Sequence, residues 1–278
     1  MILRHPIPTL SPADGLEELL LAPSRVPEQL DLNLRRVLAN RLAAKAPARH
    51  RGSLRLDSYT ILNAHSEQGV FTWSPRRARR LLGAAAASAV LEGRSPHPLA
   101  AVHSEVDDVI ARATQEHTRP GSLGTWLGEA PRGVQAAAIA EASAWATELL
   151  ISLSPHLLHA APLVGRADPV WAVPGAPWIS LRARRDLEVN LESNSKTRAL
   201  LCVRNGRPNS QAPEDLSLVG LIDALTHPGV PLPTRVVGLW PAAGRAFSLE
   251  IDPDVMRSAA RRVVEAIERR RQVSAAAA

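Results

Sequence analysis

The chain has 278 residues, 45% of them hydrophobic, enough for one large domain or two modest ones around a buried core. Its formal charge of +6, carried mainly by arginine, suits an anionic partner such as nucleic acid and equally serves solubility. A single cysteine excludes an internal disulfide and any Cys-based zinc or iron-sulfur site within one chain, which points to a reducing cytoplasm; no apolar run reaches a membrane span of roughly 18 residues, and the N-terminus lacks the pattern of a secretory leader.

Residues 1–70 read as a basic, mostly helical region. In "LDLNLRRVLANRLAA" (30–44), Leu32, Leu34, Val37, Leu38 and Leu42 recur at helical spacing, with Arg35, Arg36 and Arg41 off that face. "SLRLDSYTILNAH" fits a strand or a helix. "WSPRRARRLLGAAAASAVLEG" begins a helix: Ser74 is a suitable N-cap, Pro75 fits the first helical position, and the alanine run propagates it. Arg76, Arg77, Arg79 and Arg80 then stand near a helix N-terminus, where cations oppose the macrodipole. That placement hints at an anionic partner, against the plainer reading of a solvated face. Residues 31–80 hold eleven Lys or Arg and three acids, a surplus of eight that exceeds the charge of the whole chain. Localised charge is the footprint of phosphate contacts, and Trp73 and Tyr59 are near enough in sequence to offer stacking.

A further helix is expected over "AAVHSEVDDVIARATQ", with Glu105, Asp107 and Asp108 near its start complementing the dipole. A Gly-rich loop, "RPGSLGTWLGEAPRG", follows it. The long Ala-rich helix at 134–153 reads as buried on most sides. In the Pro-rich piece 154–177, His156 and His159 have no third ligand at a recognisable spacing and read as surface residues. Strands are expected at 178–183, 186–191, 198–204, 234–240 and 246–251, and helices at 214–226 and 252–272. Residues 273–278 form a fraying tail. The fold class is α/β (α+β): a helical N-terminal part, then a mixed sheet flanked by helices, with three consecutive strands and a helical crossover.

This order, with the phrases "ARRDLEVNL", "LLCVRNGRP" and "EDLSLVGLIDAL" and the upstream "FTWSPRRARRLLGAAAASAV", resembles the PD-(D/E)XK nuclease superfamily, in particular its RecB-like branch, over residues 71–272. The resemblance implies a restriction-endonuclease-like αβββαβ core at 134–272. It also implies phosphodiester cleavage in which two carboxylates on neighbouring strands hold Mg²⁺ and a lysine stabilises developing charge. Asp186 matches the first acid and would be the metal ligand. The second acid falls on Cys202, whose soft sulfur suits Mg²⁺ poorly, and the lysine falls on Arg204, which keeps the charge but cannot serve as a general base. The histidine often found in the first helix has no counterpart in "GAAAASAV", and the tyrosine of the later helix falls near Val219.

The expectation is therefore a DNA-binding pseudo-nuclease of repair, recombination or defence, needing no cofactor, or Mg²⁺ if some cleavage survives. Its nucleic-acid contacts would be Arg76, Arg77, Arg79, Arg80, Trp73, Arg207 and Asp215. Alternatively Arg204, Arg207 and Asp215 form a solvated loop with an ion pair. Two other readings stand beside this one. In the first, cleavage persists through migrated groups, with Glu188 on the strand of Asp186, Lys196 before the third strand and Glu141 on the preceding helix. In the second, the chain is a scaffold for a nuclease or helicase subunit. Cys202 reads as a small buried apolar residue, since no histidine is near it in sequence.

Overall fold

The computed structural model describes residues 16, 19–20, 32–45, 54–62, 72–115, 121–153, 163–164, 169–190, 198–204, 206–227, 230 and 232–276. The elements begin with α1 (Leu32–Lys45), β1 (Leu54–Asp57), α2 (Ser58–Leu62), α3 (Pro75–Leu91), α4 (Pro98–Gln115), α5 (Leu123–Glu129) and α6 (Arg132–Ser152). The strands β2 (Leu163–Val164), β3 (Val170–Val173), β4 (Ala176–Arg182), β5 (Leu187–Asn190) and β6 (Arg198–Val203) follow. The chain continues through α7 (Ala212–Thr226), β7 (Pro233–Trp240), β8 (Arg245–Glu250) and α8 (Pro253–Ala276). The class is mixed α and β, as the sequence indicates. No helix among the described residues is long and apolar enough to cross a membrane.

Two compact units form, one from Met1–Ser66 with Ala167–Ala278 and the other from Glu67–Arg166. The sequence reading placed a boundary near residue 70 and a single domain over 71–272. The N-terminal segment instead joins the C-terminal part, because β1 pairs in parallel with β4, matching Leu54 to Ile179 and Leu56 to Leu181. Helix α8 runs on to Ala276, through most of the expected tail.

Among the described residues, the unit Glu67–Arg166 is helical apart from the short β2. Ser74 caps α3 as expected, its Oγ accepting from the N–H of Arg77 at 3.3 Å with Pro75 at the first position. Helices α3 and α6 meet through small residues, with Ala86, Ala87, Ala138, Ala142 and Ala146 all fully buried. A Cβ on Gly83 would lie 2.7 Å from Trp145 Cε3 and 2.9 Å from the carbonyl oxygen of Ala142. Gly83→Val should therefore cost about 1–3 kcal/mol by overpacking, read as an earlier midpoint in denaturant unfolding followed by circular dichroism.

The opposite side of α6 is open, with Ile151 74% exposed, so this helix is not buried on most sides as its apolar sequence suggested. The expected Gly-rich loop contains helix α5, capped by Ser122, whose Oγ accepts from the N–H of Thr125 at 3.1 Å. Its Gly124 serves close packing, since a Cβ there would come 2.1 Å from the carbonyl oxygen of Val109 on α4. Helix α4 starts at Pro98, so its acids lie beyond the first turn, and Glu105 pairs instead with Arg112 at 3.5 Å.

The other unit holds two sheets. In the first, the order is β1-β4-β3, with β3 antiparallel to β4. In the second, β5 pairs antiparallel with β6, β6 parallel with β7, and β7 antiparallel with β8. The strand expected at 178–183 therefore does not continue into the sheet of β5 and β6, which corrects the expectation of three consecutive strands in one sheet. Alternation along β4 buries Ala176, Ile179 and Leu181, but a hydrophobic pattern fixes a strand's face and not its neighbour.

Every residue of β6 is buried, as befits a strand paired on both sides. Helix α7 is apolar nearly all round and is buried from Leu216 to Leu225, packing against β3 of the first sheet and β7 and β8 of the second. Met256, Ala259, Val263 and Ile267 of α8 complete the core.

Candidate functional site

The start of β5 and the end of β6 bring three sequence candidates together. The N–H of Asp186 donates to the carbonyl oxygen of Leu201 at 2.9 Å, which fixes Asp186 against the neighbouring strand. Its carboxylate, 1% exposed, turns along that strand and accepts from the N–H of Val203 at 2.7 Å through Oδ2. Oδ1 lies 3.4 Å from Nε of Arg184. Cys202, fully buried, points its Sγ at the carbonyl oxygen of Arg184 at 3.6 Å.

Arg204 follows directly after β6, and its N–H extends the pairing by donating to the carbonyl oxygen of Leu239 at 2.7 Å. The side chain then reaches the first turn of α7, where Nε donates to Asp215 Oδ2 at 2.6 Å. Burial works to lower the pKa of this guanidinium, but attraction from Cys202, Asp215 and Asp186 outweighs it and holds the group above its ordinary value. Glu214, the neighbouring acid of that turn, is held by Arg262 of α8. The ion-pair alternative for Arg204 and Asp215 is thus the arrangement observed, in a part-buried setting. Arg207 is exposed.

A second charged cluster lies on the same sheet, and sequence reasoning missed most of it. Asp223, 0% exposed within apolar α7, binds Arg198 of β6 at 2.5 Å and lies 3.8 Å from Arg185. Glu188 contacts Arg185 and lies 3.4 Å from Arg198, while His227 Nδ1 is 3.5 Å from Asp223. Burial, reinforced by the charge of Arg198 and opposed by Asp223, lowers the pKa of Arg185. The signal was present in "GLIDAL", since an acid inside an apolar helix must find a cation in the core. Glu188 therefore serves this cluster.

The remaining candidates disperse. Glu141 lies on α6, in the unit Glu67–Arg166, and pairs with Arg79 at 3.7 Å. Lys196, like His156 and His159, lies outside the described residues. Arg77 turns back on its own helix start, donating to the carbonyl oxygen of Thr72 at 2.5 Å. Trp73 donates through Nε1 to the carbonyl oxygen of Gly121 at 2.8 Å and packs beside Trp126 with ring centroids 6.3 Å apart. Arg80 is half-buried and Arg76 is exposed. Tyr59, in the other unit, is 66% exposed. The basic segment 31–80 is thus divided between the two units.

The donor set at Asp186 does not fit Mg²⁺. A hard dication needs several oxygen ligands, whereas here one carboxylate already accepts a backbone N–H, the adjacent strand offers sulfur, and two guanidiniums stand close by. Among the described residues, no group of three His, Cys, Asp or Glu side chains is disposed to hold a metal. Compared with protein-family models, with curated proteins and with solved structures, the chain has no match.

Proposed function

We propose that the chain is a nucleic-acid-binding pseudo-nuclease: a PD-(D/E)XK-like core, of a kind used in DNA repair, recombination or defence, whose catalytic groups have given way to ion pairs. The observation that carries this reading is the meeting of Asp186 with the end of β6 beside Cys202 and Arg204, where the resemblance sets a catalytic pair and this chain sets an arginine bound to Asp215. Strand directions support it. An antiparallel step from β5 to β6, then a parallel step through α7 to β7, agrees with the later part of such a core, whose first expected strand, β4, belongs to the other sheet.

The proposed contacts to nucleic acid are the arginines that remain outward, above all Arg76 on the helical unit, followed on α3 by the part-buried Arg80, and, on the other unit, Arg207. Arg79 and Arg77 are engaged internally and act on helix position. Purified protein should shift labelled DNA on a gel without cleaving it in Mg²⁺, Mn²⁺ or EDTA, and the shift should weaken steeply with salt. Arg76→Ala should reduce the salt slope by about 1, uniformly across sequences, if that side chain meets one phosphate. Metal-dependent products would establish an active nuclease instead. Absence of any shift would turn the search to a protein partner such as a nuclease or helicase subunit.

A further inference from the structure

Among the described residues, acids at this end of the second sheet lie beside arginines. Asp186 has Arg184 at 3.4 Å, Asp215 has Arg204 at 2.6 Å, and Glu214 has Arg262. Arg204 is also within the field of Asp186, so its charge is shared between the acid at the start of β5 and the acid at the start of α7. Its Nη1 is buried without a hydrogen-bond partner among the described residues, so at that atom the charge is balanced by the surrounding carboxylates through space. A buried carboxylate such as Asp186, with the part-buried Asp215 near the same arginine, calls for a cation, and here the chain supplies it from its own side chains.

We infer that Arg184 and Arg204 serve Asp186 and Asp215 in the place of a divalent cation, so that this end of the sheet assembles, and binds whatever it binds, without metal. The inference rests on the nuclease-core reading, which alone sets a metal here. A dication entering the cluster would meet two guanidiniums that cannot lose their protons and are fixed by ion pairs. It would find the soft Cys202 where a third hard ligand is needed. Arginine differs from a bound ion in one testable respect: it cannot be removed by a chelator.

The test is thermal unfolding of the full chain in EDTA, Mg²⁺ and Mn²⁺ at matched ionic strength, with wild type, Arg204→Met and Arg204→Lys. Wild type should unfold at the same temperature in all three. Arg204→Met should be less stable in EDTA and should recover part of the loss in Mn²⁺, since Asp215 then loses its guanidinium and Asp186 keeps Arg184 alone of the two. Arg204→Lys, which keeps the charge, should stay indifferent to metal. Stabilisation of wild type by Mn²⁺ that disappears in Asp186→Asn would overturn the inference, and so would a folded Arg204→Met that ignores metal.

Should Arg204→Met fail to fold, Mn²⁺ titration of wild type followed by electron paramagnetic resonance still decides. An undiminished free-ion signal supports the inference, and a loss of signal that Asp186→Asn abolishes refutes it. Gel shifts keep the two proposals apart. DNA binding that survives EDTA agrees with both, whereas no DNA binding in any buffer sinks the proposed function and leaves the ion-pair substitution standing.

Discussion

Asp223→Ala is expected to remove about 3–5 kcal/mol of stability, a large part of what holds an ordinary domain folded. Asp223 is 0% exposed and accepts from Arg198, itself 2% exposed, at 2.5 Å. Removing the carboxylate leaves Arg198 and Arg185 buried, with Glu188 still beside them. Arg185 already has its pKa lowered by burial, so it is the group least able to bear the loss of a counter-charge. The midpoint of urea unfolding checks this, with Asp254→Ala on the exposed first turn of α8 as the control.

If Asp223→Ala shifts the midpoint no more than the control, the cluster contributes no net stability. A double-mutant cycle with Arg198→Met separates pairing from burial. Replacing both partners should cost less than the two single changes together, because no charge is then stranded in the core.

Local elements were legible in the sequence wherever one stretch of chain carries its own physics. Ser74 followed by Pro75 fixes where α3 begins, and the apolar run from Leu216 to Leu225 marks a helix buried on all sides. What remained hidden depends on partners far away in the chain. The pleat of β4 shows which residues face the core, yet nothing in "WISLR" shows that its parallel neighbour is Leu54–Asp57. Likewise Gly124 reads as loop chemistry until helix α4 is seen pressing Val109 against it.

At the site, the spacing of Cys202 and Arg204 at the end of β6 was legible, and the resemblance set Asp186 beside them. The partners of those residues were not. Arg184 is two residues from Asp186 and Asp215 eleven from Arg204, separations with no helical or strand meaning once a turn and a loop intervene. Glu188 illustrates the same limit. Two residues from Asp186, it was expected to share a catalytic face, but its contacts are Arg185 and Arg198.

The second large effect concerns Asp186 and decides how its substitution is read. A metal-binding acid can be removed at little structural cost, because its oxygens face a ligand. Asp186 is 1% exposed, its Oδ2 accepts from Val203 at 2.7 Å, and Oδ1 faces Arg184. Asp186→Ala strands a buried N–H, which alone costs about 1–3 kcal/mol, and also withdraws a negative charge from beside Arg184 and Arg204. The variant should unfold well below wild type, and any loss of nucleic-acid binding would then follow from lost structure.

Asp186→Asn keeps an acceptor of the same shape for Val203 while it forfeits the charge and turns an amide N–H2 towards Arg184, so it should still cost less than Asp186→Ala. Thermal unfolding of the two variants side by side measures the difference. Equal losses would mean that the charge beside the arginines, rather than the bond to Val203, fixes this corner of the sheet. Indifference of stability to both changes would mean that Asp186 is held for something outside the chain and would return it to the role of a ligand.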